Sequence, residues 1–300
     1  MGTPDFAVPT LDAIHAAGHE IVGVVARPDK PSGRGKKLRS PPTVVRAREL
    51  GLTVKQPRAI KRGPFPEWVE ACGADVAVVI AYGRILTQRL LDAPARGCIN
   101  VHASLLPRYR GAAPIHAAII EGETETGVCT MVMEAGLDTG PVLEVARTPI
   151  GPDETTGELW DRLAQLGAET LVHTLAHLDE LVPTEQDHAA ATHAPMLSKA
   201  DGRVDWTQPA QRVHDHVRGF CPWPGAHTTF RGQPFKVHAT RPAEGSGEAG
   251  TFLEVGKRVV VATGEGAVEL LHVQLPGKRA IDAQAFANGA RPEVGERLGG

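Results

Sequence analysis

The signature of a strand that leads into a binding site is clearest in Cys98-Ile-Asn-Val-His-Ala-Ser-Leu-Leu-Pro-Arg-Tyr-Arg-Gly-Ala-Ala-Pro-Ile115. Its first residues predict a strand over 97–101, followed by a tight apolar turn that ends in a proline. Because side chains alternate between the two faces of a strand, Asn100 and His102 are expected on the same face. Open α/β sheets place their binding sites just beyond the carboxyl ends of strands. A capped turn with a half-exposed histidine is the alternative, and it explains either residue alone better than the whole run.

Strand and helix patterns alternate on both sides of this segment. Predicted strands cover 20–26, 52–56, 74–83, 97–101, 127–134 and 142–146, and predicted helices cover 7–17, 43–50, 64–71, 85–91, 113–120 and 155–181. Such alternation, with strands that are almost continuously apolar, is typical of a parallel sheet covered by helices. We therefore predict a Rossmann-like α/β catalytic domain with a mainly parallel sheet over residues 1–182.

The pattern changes after residue 182. Residues 183–201 are rich in Pro, Thr, His and Ala and have little periodicity, which is typical of a linker. One helix is then predicted over 208–219, and short strands over 227–230, 235–240, 251–255, 258–262 and 267–274. A helix followed by short strands predicts a small, open, OB-like β-barrel over residues 202–300.

Composition places broad limits on the class of protein. With 300 residues, 42% of them hydrophobic and 22% charged, the chain is long enough for two globular domains. Its net charge of -3 means that any contact with nucleic acid must come from a local basic patch. Cys72, Cys98, Cys129 and Cys221 form no Cys-x-x-Cys pair, so we expect reduced core cysteines in the cytoplasm. The sequence has no apolar run long enough to span a membrane and no secretory signal.

Asn100, His102 and Asp138 form the strongest candidate catalytic set. Asp138 lies between two glycines on a loop that follows the strand predicted over 127–134. A carboxylate beside an imidazole favours the protonated ring, and a protonated His next to an Asn amide gives two donors for a developing oxyanion. These groups suit acyl transfer without a covalent nucleophile, since no Ser or Cys lies in a nucleophile-elbow pattern. On spacing alone, a capped turn and a solvated aspartate remain an alternative.

Two weaker patterns in the sequence can each be interpreted in two ways. Residues 27–39 carry six basic side chains against one acidic residue, Asp29, so the loop either contacts phosphates or is simply solvated. His173 and His177 have a spacing that can bind zinc, but no Glu or Cys partner accompanies them. Histidines on the surface of an amphipathic helix are the preferred explanation for this pair.

Six motifs in this order resemble the methionyl-tRNA formyltransferase family over essentially the whole chain. They are Gly2-Thr-Pro-Asp-Phe6, Gly33-Arg-Gly-Lys-Lys-Leu38, Ala81-Tyr-Gly83, the segment Cys98–Ile115, Gly136-Leu-Asp-Thr-Gly140 and Pro222-Trp-Pro224. The Asn-x-His and Asp set and Ser-Leu-Leu-Pro are shared by folate-dependent formyltransferases of this fold in general. The Gly-Arg-Gly-Lys-Lys loop points to the enzymes that act on tRNA.

The resemblance implies transfer of a formyl group from 10-formyltetrahydrofolate to the α-amine of methionine on initiator tRNA, without a metal ion. His102 and Asn100 would stabilise the oxyanion, and Asp138 would keep His102 charged and help to move protons. The residues implied to border the folate are Ile80, Ala81, Tyr82, Ser104, Leu105, Leu106 and Pro107. Those implied to contact the tRNA are Arg34, Lys36 and Lys37, with the β-barrel holding the rest. We expect the protein to act as a monomer in the cytoplasm.

The sequence departs from the family pattern at two places. His116 stands where the family has Gln, close in sequence to the candidate site, and this change could alter how the substrate fits. Met1 stands where the family has the last residue of a hydrophobic first strand. We therefore expect the strands over 20–26 and 74–83 to lack a shared neighbour, and our hypothesis is that Met1 is internal to a longer protein.

Two other functions remain open at this point. One is a related enzyme that formylates an amino sugar, whose activity would not require tRNA or the charges of Lys36 and Lys37. The other is a tRNA-binding protein that has lost its chemistry. The presence of Asn100, His102 and Asp138 together argues against that loss.

Overall fold

The computed structural model describes residues 1–32 and 37–299, and the chain divides into two compact units. Unit 1 comprises Met1–Pro114, Thr126–Thr148 and Trp160–Ala194. Unit 2 comprises Ile115–Glu125, Pro149–Leu159 and Pro195–Gly300. Residues 183–194, predicted from the sequence to be part of a linker, thus belong to unit 1.

The first part of the chain alternates strands and helices. The strands are β1 (Val24–Val25), β2 (Lys30–Ser32), β3 (Lys37–Arg39), β4 (Val54–Lys55), β5 (Ala77–Val79), β6 (Cys98–His102), β7 (Arg110–Gly111), β8 (Glu125–Val132), β9 (Val142–Pro149) and β10 (His193–Ala194). The helices are α1 (Val8–Ala16), α2 (Pro42–Glu49), α3 (Pro64–Ala71), α4 (Gln88–Leu91), α5 (Pro114–Ile120) and α6 (Thr156–Ala176). Prolines at the first positions of α2 and α3 fix the backbone angle that starts each helix.

Unit 1 contains parallel strand pairs, as predicted for a Rossmann-like α/β domain, together with antiparallel pairs. Strand β1 runs parallel to β4, and β5 runs parallel to β6. The larger sheet has the order β5-β6-β8-β9, and its direction changes at β8, which is antiparallel to β6. All five residues of β6 are buried, so its polar residues Asn100 and His102 lie inside the sheet and not on an exposed edge.

Met1 and Gly2 join the two sheets at the carboxyl ends of β1 and β5. The Gly2 amide donates to the Val25 carbonyl at 2.9 Å, and the Ile80 amide donates to the Met1 carbonyl at 2.9 Å. A cavity of about 530 Å³ lies alongside Ile21–Val25 and Ala74–Val78. Because a cavity adjoins these segments, the strands predicted over 20–26 and 74–83 form ladders only over β1 and β5.

Unit 2 contains a curled antiparallel sheet. Its elements are α7 (Ala210–Gly219), β11 (His227–Phe230), β12 (Gln233–Ala243), β13 (Phe252–Val255), β14 (Val259–Ala262), β15 (Ala267–Gln274), β16 (Ile281–Asp282) and α8 (Ala283–Ala290). The strand order is β11-β12-β15-β14-β13, with β16 paired to β15. Four phenylalanine rings pack at its centre with centroids 5.0–6.4 Å apart, from Phe230, Phe235, Phe252 and Phe286. This architecture confirms the predicted small barrel, while β16 and α8 were not predicted.

The last described residues of the chain connect the two outer strands of this sheet. Leu298 forms a bridge to Phe230 at the end of β11, and Arg297 forms a bridge to Thr251 beside β13. The Leu298 amide also donates to the Gly250 carbonyl at 2.8 Å. Exposed strand edges invite pairing with other chains, so this segment covers edges that would otherwise be open.

None of the helices within residues 1–32 and 37–299 is both long enough and apolar enough to cross a lipid bilayer.

Leu298→Ala should lower the free energy of unfolding by about 2–5 kcal/mol, because it empties a buried site in the barrel core. Leu298 is 1% exposed, whereas Val294 in the same segment is 66% exposed and serves as the control. Chemical denaturation followed by tryptophan fluorescence measures both variants. Equal stability of Leu298→Ala and Val294→Ala would contradict the closing role of the segment.

Candidate active site

Strand β6 places Asn100 and His102 on one face of the central sheet. The strand pairs with β5 on one side and with β8 on the other, which fixes its register at Asn100↔Met131 and His102↔Cys129. Asn100 is 8% exposed and His102 is 6% exposed. Buried polar groups of this kind are costly unless they have partners, so their contacts define what the site can do.

The carboxylate of Asp138 faces both side chains. Its Oδ1 atom lies 3.5 Å from Asn100 Nδ2, and its Oδ2 atom lies 3.7 Å from His102 Nδ1. Oδ2 also accepts a hydrogen bond of 2.8 Å from the backbone amide of Gly111. The structure therefore brings together the three residues expected to meet at the edge of the sheet, with the Asn amide and one imidazole nitrogen directed at the same carboxylate.

The second ring nitrogen of His102 fixes the protonation pattern of the imidazole. Nε2 lies 2.9 Å from the carbonyl oxygen of Tyr109. A carbonyl oxygen can only accept, so Nε2 carries a proton in the neutral ring as well as in the charged one. Nδ1 is the nitrogen that faces Asp138.

Buried thiols lie on the same strands but do not supply a nucleophile. Burial raises the pKa of the Cys98 thiol to about 11, and it raises the pKa of the Cys129 thiol to about 11. The thiolate is the reactive form of cysteine, so both groups are inert near neutral pH. All four cysteines are free, in agreement with the prediction of reduced cysteines.

The Ser104–Pro107 turn combines a buried hydroxyl with three half-buried apolar side chains. Ser104 is fully buried, and its hydroxyl donates to the Arg108 carbonyl at 2.6 Å, so it holds the turn together. Leu105, Leu106 and Pro107 are half-buried. The turn therefore presents a partly apolar surface directly after the strand that carries Asn100 and His102.

The Ile80–Tyr82 segment exposes only its central residue. Ile80 is 3% exposed and Tyr82 is 2% exposed, whereas Ala81 is exposed and adopts a positive φ of 44°. The Tyr82 ring packs in a hydrophobic core, and burial raises the pKa of its hydroxyl. Any contact of this segment with a ligand would therefore come from Ala81 and the backbone.

The basic loop is described in part. Lys37 begins β3 and is exposed, and its backbone pairs with Ser32 of β2 in an antiparallel hairpin. Lys30 and Arg39 are exposed on the same hairpin. Arg34 and Lys36 lie outside the described residues.

The other histidines singled out from the sequence, His116, His173 and His177, contact neighbouring protein groups. His116 belongs to unit 2, where its Nε2 atom lies 3.2 Å from the Trp223 carbonyl and burial lowers its pKa. His173 pairs with Glu144 at 2.6 Å and stacks on His177. Within residues 1–32 and 37–299, no group of three or more His, Cys, Asp or Glu side chains is arranged to hold a metal ion.

The site also contains two groups that sequence reasoning missed. One is the Gly111 amide that binds Asp138, and the other is the side chain of Gln186, which donates to the backbone of the Asp138 loop. A backbone amide leaves no signal in a sequence. Gln186 lies in a stretch without periodicity, so no pattern marks it.

Two family models cover most of the chain. The model described as formyl transferase matches residues 1–175, and the model described as formyl transferase, C-terminal domain, matches residues 196–291. Methionyl-tRNA formyltransferase of Ruegeria pomeroyi is 51% identical over 298 residues, which are 99% of this chain and 98% of that relative. The chain belongs to the methionyl-tRNA formyltransferase family.

Further comparisons agree with this family assignment. Methionyl-tRNA formyltransferase of a Jannaschia species is 52% identical over 298 residues, covering 99% of this chain and 98% of the relative. Among solved structures, the sugar 3N-formyl transferase WlaRD covers 93% of this chain and 97% of its own, with a TM-score of 0.68 and 15% identity. At that identity the likeness concerns the fold alone.

Thiol labelling should separate the four cysteines by burial. Cys98 and Cys129 are 1% and 0% exposed, whereas Cys72 and Cys221 are half-buried. A brief pulse of iodoacetamide at pH 8, read by peptide mass spectrometry, should modify Cys72 and Cys221 first. Cys98 and Cys129 should react only at the rate of unfolding, because their thiols stay protonated and enclosed. Rapid labelling of Cys98 in the native protein would contradict the site described above.

Proposed function

We propose that this enzyme transfers the formyl group of 10-formyltetrahydrofolate to the α-amine of methionyl initiator tRNA, giving N-formylmethionyl-tRNA and tetrahydrofolate. The observation that carries the proposal is the convergence of Asn100 Nδ2 and His102 Nδ1 on the Asp138 carboxylate, at 3.5 and 3.7 Å. Membership of the methionyl-tRNA formyltransferase family supports the choice of donor and acceptor.

The chemistry proceeds by direct attack of the methionyl nitrogen on the formyl carbon. A carbon–nitrogen bond forms while the formyl oxygen gains negative charge. Asn100 Nδ2 and the protonated Nδ1 of His102 donate hydrogen bonds to that oxygen. Donors held in place before the reaction stabilise such an oxyanion without the cost of reorganising solvent. Collapse of the adduct then breaks the bond between the formyl carbon and N10 of the folate.

Asp138 has two roles in this scheme, which are to stabilise the charge on His102 and to accept a proton from the attacking amine. Its carboxylate stabilises the imidazolium form of His102, since Nδ1 is the nitrogen that faces it. It also accepts the proton that the attacking amine must lose, and N10 of the leaving folate receives a proton in turn. General acid–base help of this kind contributes about 10²–10⁴-fold in rate.

Binding of the two substrates is divided between apolar and basic surfaces. The half-buried Leu105, Leu106 and Pro107 would border the pterin, and so would the exposed Ala81. Lys37 is exposed on the β2–β3 hairpin and would contact tRNA phosphate. Arg34 and Lys36, which lie outside the described residues, are proposed to do the same. Residues 203–300 hold twelve Lys and Arg against ten Asp and Glu, so the proposed barrel contact with tRNA depends on arrangement and not on excess charge. A monomeric state and a cytoplasmic location stay predictions.

His102→Ala should slow single-turnover formylation of charged initiator tRNA by about 10³-fold, because it removes an oxyanion donor and the charged ring. Binding of tRNA should stay within about threefold of the parent, since the change lies in the buried strand. Quenched-flow transfer of a labelled formyl group measures the rate, and filter binding measures the affinity.

The acceptor distinguishes the competing functions. The parent enzyme should formylate methionyl initiator tRNA and should not formylate a nucleotide-linked amino sugar. Transfer to the amino sugar without tRNA would replace the proposed acceptor. Normal formylation by His102→Ala would overturn the assigned mechanism, and tRNA binding without any transfer by the parent would favour a binding protein.

A further inference from the structure

We propose that Gln186 and Arg110 are positioning residues that hold the Asp138 loop in its reactive geometry. The inference rests on the proposed function, because it concerns the carboxylate that serves the two oxyanion donors. The Gln186 side chain binds the backbone of the Asp138 loop, and the Arg110 side chain binds Gln186. Both would act through the loop that carries Asp138.

The Gln186 amide connects the loop to a buried guanidinium. Its Nε2 atom donates to the Asp138 carbonyl at 3.0 Å and to the Gly140 carbonyl at 2.7 Å. Its Oε1 atom accepts from Arg110, with distances of 3.1 Å to Nε and 2.6 Å to Nη2. One side chain thus uses both of its donor hydrogens on the loop and its acceptor on Arg110.

Arg110 determines which way the Gln186 amide points. It is 5% exposed, and a guanidinium has donors but no acceptor, so only the oxygen of the amide can face it. The amide nitrogen is therefore directed at the loop carbonyls. The Arg110 Nη2 atom also lies 3.0 Å from His188 Nδ1, so this nitrogen contacts both His188 and Gln186.

Much of the Asp138 loop is exposed to solvent, so contacts with other segments of the chain help to hold it in place. Residues 134–137 are exposed, and Leu137 is 58% exposed. Asp138 adopts a left-handed φ of 52°, a conformation that is uncommon outside glycine but that Asp and Asn adopt more readily than other residues. The two carbonyls bound by Gln186 belong to Asp138 itself and to Gly140, so the amide holds the backbone at the residue whose carboxylate must stay in place and again two residues later.

Strand β7, which carries Arg110, also carries the backbone amide that binds the Asp138 carboxylate. Strand β7 pairs with β10, and the Arg110 amide donates to the Thr192 carbonyl at 2.9 Å. The next residue, Gly111, donates its amide to Asp138 Oδ2 at 2.8 Å. The loop backbone and the carboxylate are thus both held from β7, by a side-chain route and a backbone route.

Gln186→Glu tests the amide with almost no change of shape. The carboxylate still accepts from Arg110, but it cannot donate to the two loop carbonyls. We expect kcat for formyl transfer to fall about 10–100-fold, since a displacement of about 1 Å at a reacting group can cost about 10²-fold. KM for tRNA and for the formyl donor should stay within about threefold. Gln165→Glu on the exposed face of α6 is the control, and it should keep the parent kcat.

A double-mutant cycle separates positioning from a general loss of structure. If Gln186 acts through the carboxylate, Gln186→Glu should reduce the rate much less in an Asp138→Asn background than in the parent. Equal losses in the two backgrounds would overturn the proposal, as would an unchanged kcat for Gln186→Glu. If Gln186→Glu does not fold, Gln186→Met keeps the volume without polar atoms and replaces it in the cycle.

Hydrogen exchange gives a readout that does not depend on activity. Peptides covering residues 134–141 should exchange faster in Gln186→Glu than in Gln165→Glu, because the loop loses two hydrogen bonds. Unchanged exchange there would overturn the positioning role even if the rate fell. If the parent itself fails to formylate tRNA while the exchange result holds, the proposed function fails and the structural role of Gln186 stands.

Discussion

One carboxylate, that of Asp138, faces both donors of the proposed active site. Asp138 lies within 3.5 Å of an amide nitrogen and 3.7 Å of an imidazole nitrogen, both from a strand whose residues are all buried. Burying a charge is costly without partners, and here the partners are an Asn amide, a His ring and the Gly111 amide. The groups that stabilise the carboxylate are the groups proposed to stabilise a developing oxyanion. Packing around Asp138 and reactivity at Asn100 and His102 are therefore two consequences of the same arrangement.

Much of this arrangement could be predicted from local sequence. The period of two in a strand placed Asn100 and His102 on one face, and the glycines around Asp138 marked its loop. Strands β11 and β15 and helix α3 have the predicted bounds. These elements have strong local patterns, either alternating apolar residues between turns or a proline at the helix start.

The rest depends on contacts between distant parts of the chain. Gln186 lies 48 positions from Asp138 in a segment without periodicity, so only the folded chain reveals their hydrogen bond. The strand predicted over 20–26 pairs over Val24–Val25 alone, since its length depends on the neighbours available and not on its own apolar residues. The closing segment at Arg297 and Leu298 was missed for the same reason, because bridges to Thr251 and Phe230 leave no mark in the sequence. The chain shares its fold with a sugar formyltransferase at 15% identity. A fold of this kind does not by itself determine the substrate.

The charge of Asp138 is the most direct point at which to test this account. Asp138→Asn keeps the size of the side chain and an acceptor for the Gly111 amide, but it removes the negative charge facing His102 Nδ1. Single-turnover formylation of methionyl initiator tRNA should fall by at least about 10²-fold, within the range expected for lost acid–base and electrostatic assistance. The melting temperature should change little, because the hydrogen bond from Gly111 can persist. A rate within a few-fold of the parent would contradict the central role of the carboxylate.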